Sequence, residues 1–127
     1  MFRKFGLGLL FITATLSSEA YSMVTHKLLK GVSMEYDLPT NDPQVFTNFW
    51  WGPVVANCTI TTEDKSDALF IVALARKGKV NEIELSVGGS IQLEVHPGDK
   101  LKLSADSGAK VEITNFGEHT VKAVCTT

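Results

Sequence analysis

From Pro53 to the C-terminus the chain alternates apolar and polar residues in short runs divided by turn residues. "VVANCTIT" (Val54–Thr61) places Val54, Ala56, Cys58 and Ile60 on one face of a strand and Val55, Asn57 and Thr59 on the other. Successive side chains of a strand point to opposite sides, so this pattern half-buries a strand and would scatter around a helix. "EDKSD" (Glu63–Asp67) is a polar loop, and "ALFIVALAR" (Ala68–Arg76) is apolar on both faces. Its length, its Phe-Ile-Val centre and the Lys77-Gly78 break predict a central strand covered on both sides. "KVNEIELSV" (Lys79–Val87) reads as one strand with Ile83, Leu85 and Val87 inward.

"SIQLEVH" (Ser90–His96), "DKLKLSA" (Asp99–Ala105), "AKVEITN" (Ala109–Asn115) and "TVKAVCT" (Thr120–Thr126) continue the series. Gly88-Gly89, "HPGD", "DSG" and "FGEH" separate them, and Pro-Gly at the centre of "HPGD" suits a type II turn. These are seven strands, and one more near "KLLKGVSMEY" (Lys27–Tyr36) makes eight. Short strands repeating at roughly 8–12 residues describe an all-β sandwich or barrel. The expected fold is an antiparallel two-sheet β-sandwich of 7–8 strands with one disulfide, its tight turns joining mostly hairpin neighbours. The cysteines are Cys58 and Cys125. Each shares its predicted face with core residues, Cys58 with Val54, Ala56 and Ile60, and Cys125 with Val121 and Ala123. An even count in an exported chain favours a bridge. No Trp lies between them, which sets the chain apart from a true immunoglobulin domain.

Export is read from the N-terminus. "MFRKFGLGLLFITATLSSEAYS" carries Arg3 and Lys4, an apolar run from Phe5 to Leu16, and small residues at two possible cleavage sites. This is the layout of a secretory signal peptide. Its apolar run is too short to span a bilayer, which takes about 20 residues. Residues 1–22 are therefore assigned to a cleaved signal and 23–127 to a single domain, periplasmic or secreted, with no transmembrane anchor. Removing Arg3, Lys4 and Glu19 from 12 basic and 14 acidic residues takes the net charge from −2 to −3. A mildly acidic domain without a basic cluster argues against nucleic acid as partner, and against docking on anionic lipid.

"MEYDLPTNDPQVFTNFWWGP" (Met34–Pro53) breaks the strand pattern. It holds three of the four prolines and both tryptophans, and residues before proline avoid the helical region. Long irregular segments in small domains are often functional. The aromatics of this stretch either plug an open end of the sandwich or form an exposed platform for a protein or carbohydrate partner. The platform reading selects Tyr36, Phe46, Trp50 and Trp51, with Asp37 and Asp42 as polar partners, since Trp and Tyr dominate binding hot spots.

Catalytic and metal motifs are not legible. His26, His96 and His119 are far apart, and no HExxH, CxxC or GxSxG is present. "TEDKSD" lacks the glycine and spacing of a calcium loop. No catalytic residue, metal site or cofactor is expected. "VHPGDKLKLSADSGAKVEITNFGEHTVKAVCTT" and "SMEYDLPTNDPQVFTNFWW" together resemble small exported β-sandwich proteins of Gram-negative bacteria. That resemblance implies a periplasmic or secreted address and brings no catalytic motif. The expected function is non-catalytic binding through the 34–51 segment. The rival is a structural or assembly subunit that adds a partner's strand at a sheet edge, and a small hydrolase ranks below both.

Overall fold

The computed structural model describes residues 24–127. The signal-peptide assignment to 1–22 lies outside them. The described chain is all-β, with eleven strands: β1 (Val24–Leu28), β2 (Ser33–Leu38), β3 (Gln44–Asn48), β4 (Val54–Thr61), β5 (Asp67–Ala75), β6 (Gly78–Val80), β7 (Ile83–Leu85), β8 (Ser90–Val95), β9 (Lys100–Ala105), β10 (Lys110–Asn115) and β11 (Val121–Thr126). The five-stranded sheet has the order β1-β3-β10-β5-β8 and the six-stranded sheet β2-β11-β4-β9-β6-β7. Pairing between strands is antiparallel except for β1 on β3. One apolar cluster joins the sheets, with Phe46, Leu69, Ile71 and Ile113 from the first and Leu38, Ile60, Leu101 and Val121 from the second.

The pairs β6–β7, β5–β8, β4–β9, β3–β10 and β2–β11 nest inside one another. The chain is thus a long antiparallel ribbon, doubled at the β6–β7 turn and folded across itself into two sheets. Strands 2-11-4-9 and 3-10-5-8 reproduce the strand order of a jelly roll. The β6–β7 hairpin extends one sheet, and β1 extends the other.

The alternation of β4 and β11 is as the sequence predicts. Val54, Ala56, Cys58, Ile60, Val121, Ala123 and Cys125 are buried, and a disulfide joins Cys58 to Cys125. The two cysteines are direct cross-strand partners within one sheet. Four expectations need correction. The strand count is eleven, because Lys27–Tyr36 divides at Gly31 into parts of β1 and β2, and because β3 lies inside the segment expected to be irregular. "KVNEIELSV" is a hairpin, not one strand. Asn81 and Glu82 both take positive φ (50° and 71°), as a type I′ turn requires, and Ile83 and Val87 are left exposed. β5 is buried on one face only, with Phe70 and Val72 half-buried and Leu74 exposed on the other.

The fourth correction concerns the turns. The expected hairpins at Gly88, "HPGD", "DSG" and "FGEH" instead carry the chain from one sheet to the other. Ser86–Gly89, His96–Asp99 and Asp106–Ala109 each close with a bond from the fourth N–H to the first carbonyl, 2.7–3.0 Å long. In each, the third residue is glycine at positive φ (Gly88 86°, Gly98 87°, Gly108 80°). Positive φ at the third position alone is type II geometry, whose twist splays strands apart, whereas hairpins need the primed turns. Each turn then docks on a strand by a reciprocal backbone pair, on Ala73, Ile60 and Asn48 respectively.

The disulfide closes a loop with a sequence separation of 67 residues. Replacing both cysteines by alanine is expected to lower unfolding stability by about 4 kcal/mol, from the loop-closure entropy restored to the unfolded chain. Urea unfolding of the paired variants at fixed pH measures the difference.

Candidate functional site

The nested topology sorts the loops onto two ends. β3 leads from Asp42 at one end to Trp50 at the other, and this divides the six residues selected from the sequence. Tyr36 and Phe46 are 7% and 5% exposed and face the interior. Their rings meet edge to face at 5.1 Å, and His26 stacks on Phe46 at 4.9 Å. They form core and share no surface with the tryptophans. Asp37 lies on the outer face of β2 opposite Lys122, and Asp42 belongs to the β2–β3 loop. Both stand at the end remote from Trp50 and Trp51, so the acidic partners of the aromatic platform are not where the sequence reading puts them. The exposed rings of the 34–53 segment are Trp51 (88%), Phe49 and, half-exposed, Trp50.

The aromatic loop is fixed from below by Asn48, which has no exposure at all. Its Nδ2 donates to the carbonyls of Gly52 (3.0 Å), Ala105 (2.9 Å) and Asp106 (3.1 Å), and its Oδ1 accepts from Trp50 N–H (2.8 Å). Ser107 Oγ donates to the Trp50 carbonyl at 2.6 Å. The loop that carries the exposed rings is thereby bonded to the β9–β10 turn. Asn115 does the same work at the opposite end. Its Nδ2 donates to Leu38 and His119 carbonyls, and its Oδ1 accepts from Gly117 N–H. Both asparagines follow a buried Thr and precede an exposed Phe. The repeated "TNF" at 47–49 and 114–116 is a signal in the sequence for these two anchors. An Asx side chain bonded to the N–H two residues on is a local turn former.

Beside the loop, Leu28, Leu29, Lys30, Val32, Phe49 and Trp50 line an apolar groove of about 320 Å³. Lys27 Nζ stands 5.7 Å from the Phe49 ring centroid and Lys30 Nζ 6.0 Å from that of Trp50, distances at which the ring faces attract a cation. Arg76 reaches the Ser107 carbonyl, and Lys110 pairs in register with Thr47. Lys27 and Lys30 thus stand beside the exposed rings, with Asp106 in the turn bonded to their loop. The opposite, acidic end carries Glu63, Asp64, Asp67 and Glu118, with Lys65 and Lys122 among them.

At the acidic end His119 Nδ1 lies 2.6 Å from Asp64 Oδ1, and His119 N–H donates to Asp64 Oδ2 at 3.1 Å. Hydrogen bonding with Asp67 and then with His119 holds the Asp64 carboxyl below its usual range. The bond to Asp64 raises the His119 ring. Burial pushes the Asp67 carboxyl up. His96 bonds separately to Asp99, so His96 and His119 do not share a site.

Two outcomes follow from these contacts. Asn48→Ala strands the buried Ala105 carbonyl together with the Gly52 and Asp106 carbonyls and the Trp50 N–H, and is expected to cost on the order of 2–3 kcal/mol in urea unfolding while loosening the aromatic loop. The Asp64–His119 pair is complete only with Asp64 ionised and His119 protonated. Its stabilisation is present above the unfolded pKa of Asp64 and is lost as pH falls through the lowered folded value. It is present below the unfolded pKa of His119 and is lost as pH rises through the raised folded value. An NMR titration of the His119 ring is expected to give a midpoint above that of a free imidazole, falling back in Asp64→Asn. Comparison of the chain with protein-family models, with curated proteins and with solved structures finds no match.

Proposed function

We propose that this is an exported, non-catalytic binding protein of sandwich architecture that contacts a protein or glycan partner through its aromatic end. The observation that carries the reading is Trp51, 88% exposed at the tip of a loop anchored by the buried Asn48. A flexible tail could expose an indole by default. Here the fold spends buried hydrogen bonds on holding the segment that displays it, and Trp is the residue most enriched where binding energy concentrates. The contact set is Phe49, Trp50 and Trp51 with Lys27 and Lys30. The ammonium groups favour a partner that carries acidic groups, and the aromatic faces suit sugar rings or apolar side chains equally. The disulfide fits an oxidising compartment, the periplasm or beyond. Among the described residues no helix is long and apolar enough to cross a membrane.

The rival reading, strand addition, takes β8, which like β2 closes its sheet with six residues and, among the described residues, no strand on its outer side. Its exposed Gln92 and Glu94 are of the polar kind that keeps edges from pairing.

Iodide quenching of intrinsic fluorescence reports on Trp50 and Trp51 alone, the two tryptophans of the chain. A red-shifted, readily quenched emission is expected. In a glycan and protein-partner screen, Trp51→Ala is expected to weaken any specific binding at least tenfold while leaving the melting temperature unchanged. Binding that survives Trp51→Ala and fails with a proline in β8 would move the function to the sheet edge.

A further inference from the structure

The β4–β5 loop (62–66) and the β10–β11 loop (116–120) meet at the acidic end. They bring Asp64, Glu118 and His119 together, with one ligand atom of each lying within 4.8 Å of the others. A surface group of this kind is common and by itself assigns nothing. What distinguishes it is Asp67 directly behind. Asp67 is 2% exposed, and its Oδ2 accepts from Thr62 Oγ1 at 2.6 Å, but its Oδ1 is buried with no donor among the described residues. That oxygen faces the loop that carries Glu118 and His119. A Cβ added to Gly117 would overlap it, so the loop passes directly over the carboxyl and only glycine fits there. Asp67 lines the same surface cleft as Asp64 and Glu118. A buried carboxylate oxygen without a donor calls for a positive charge nearby, either a proton or a metal ion.

We propose that Asp64, Glu118 and His119 bind a divalent first-row cation, zinc above all, with the buried Asp67 carboxylate behind them in the same cleft. The donor chemistry selects the metal. One imidazole nitrogen with carboxylate oxygens suits zinc, whereas calcium and magnesium take oxygen sets. Three protein ligands leave a fourth position to water or to a partner's side chain. The loop is already ordered to hold them, since Asn115 bonds both the Gly117 N–H and the His119 carbonyl. Such an ion would clasp the β4–β5 and β10–β11 loops to each other, at the end of the molecule opposite the aromatic surface and independently of it.

The test is calorimetric titration of the purified, chelator-treated protein with zinc chloride, together with thermal melts. One zinc per chain, micromolar or tighter, with a rise in melting temperature, is the expected result. Glu118→Gln and His119→Ala are each expected to weaken binding at least tenfold, while His96→Ala binds as before. Calcium at millimolar concentration is expected to give no heat. Glu118 is exposed, so its variant keeps the fold even if His119→Ala does not. Absence of zinc binding up to 1 mM would overturn the proposal and leave a proton as the charge that compensates the buried Asp67 carboxyl. Undiminished binding in Glu118→Gln and His119→Ala would overturn it equally, by placing the metal elsewhere.

Discussion

The Cys58–Cys125 bridge lies inside the β4–β11 ladder, where the last strand closes onto the fourth. Most of the fold depends on that closure. Apart from the β6–β7 hairpin, the paired strands come from segments well separated along the chain, so loop-closure entropy opposes each pair before its contacts form. The outermost pairs of the nested ribbon span the longest loops. The covalent link acts on these, tying β11 to β4 with β2 alongside. The apolar faces of both sheets then close on a single cluster.

Doubling the ribbon back on itself also creates the two ends. Loops far apart in sequence are delivered to the same end of the two sheets. Lys27 and Lys30 stand over the rings of Phe49 and Trp50, while Asp64, Asp67 and Glu118 meet in one cleft at the other end. A buried asparagine anchors each end, Asn48 beneath the aromatic loop and Asn115 beneath the His119 loop. Both satisfy carbonyls that water cannot reach, which lets the loops above them stay irregular and still hold a fixed geometry.

Much of the fold was legible. The faces of β4, β9, β10 and β11 and the disulfide all follow from period-two alternation, a signal carried by neighbouring residues. The hairpin expectation failed for a specific reason. Gly98 and Gly108 correctly marked tight turns, but the position of the glycine within the turn makes them type II, and type II turns lead away from the sheet just left. Asn81 and Glu82 made the one local hairpin where a continuous strand was expected, because positive φ at Glu82 is a conformation its residue type does not announce. In the Met34–Pro53 segment the prolines masked β2 and β3. Each strand fits between two breaks, and its burial comes from partners distant in sequence.

The sequence by itself determined an all-β chain, which side of most strands faces the core, and which two cysteines could meet. Those properties depend on side-chain alternation and turn chemistry acting over a few residues. Only the tertiary structure decided which strands pair, that Tyr36 and Phe46 are core while Trp51 is surface, and that Asp37 and Asp42 stand away from the tryptophans. It alone brought Asp64 beside His119, 55 residues further along the chain. Proximity of that kind is set by the folding of the whole ribbon, where each contact depends on the packing of every strand between, and no local pattern of residues encodes it.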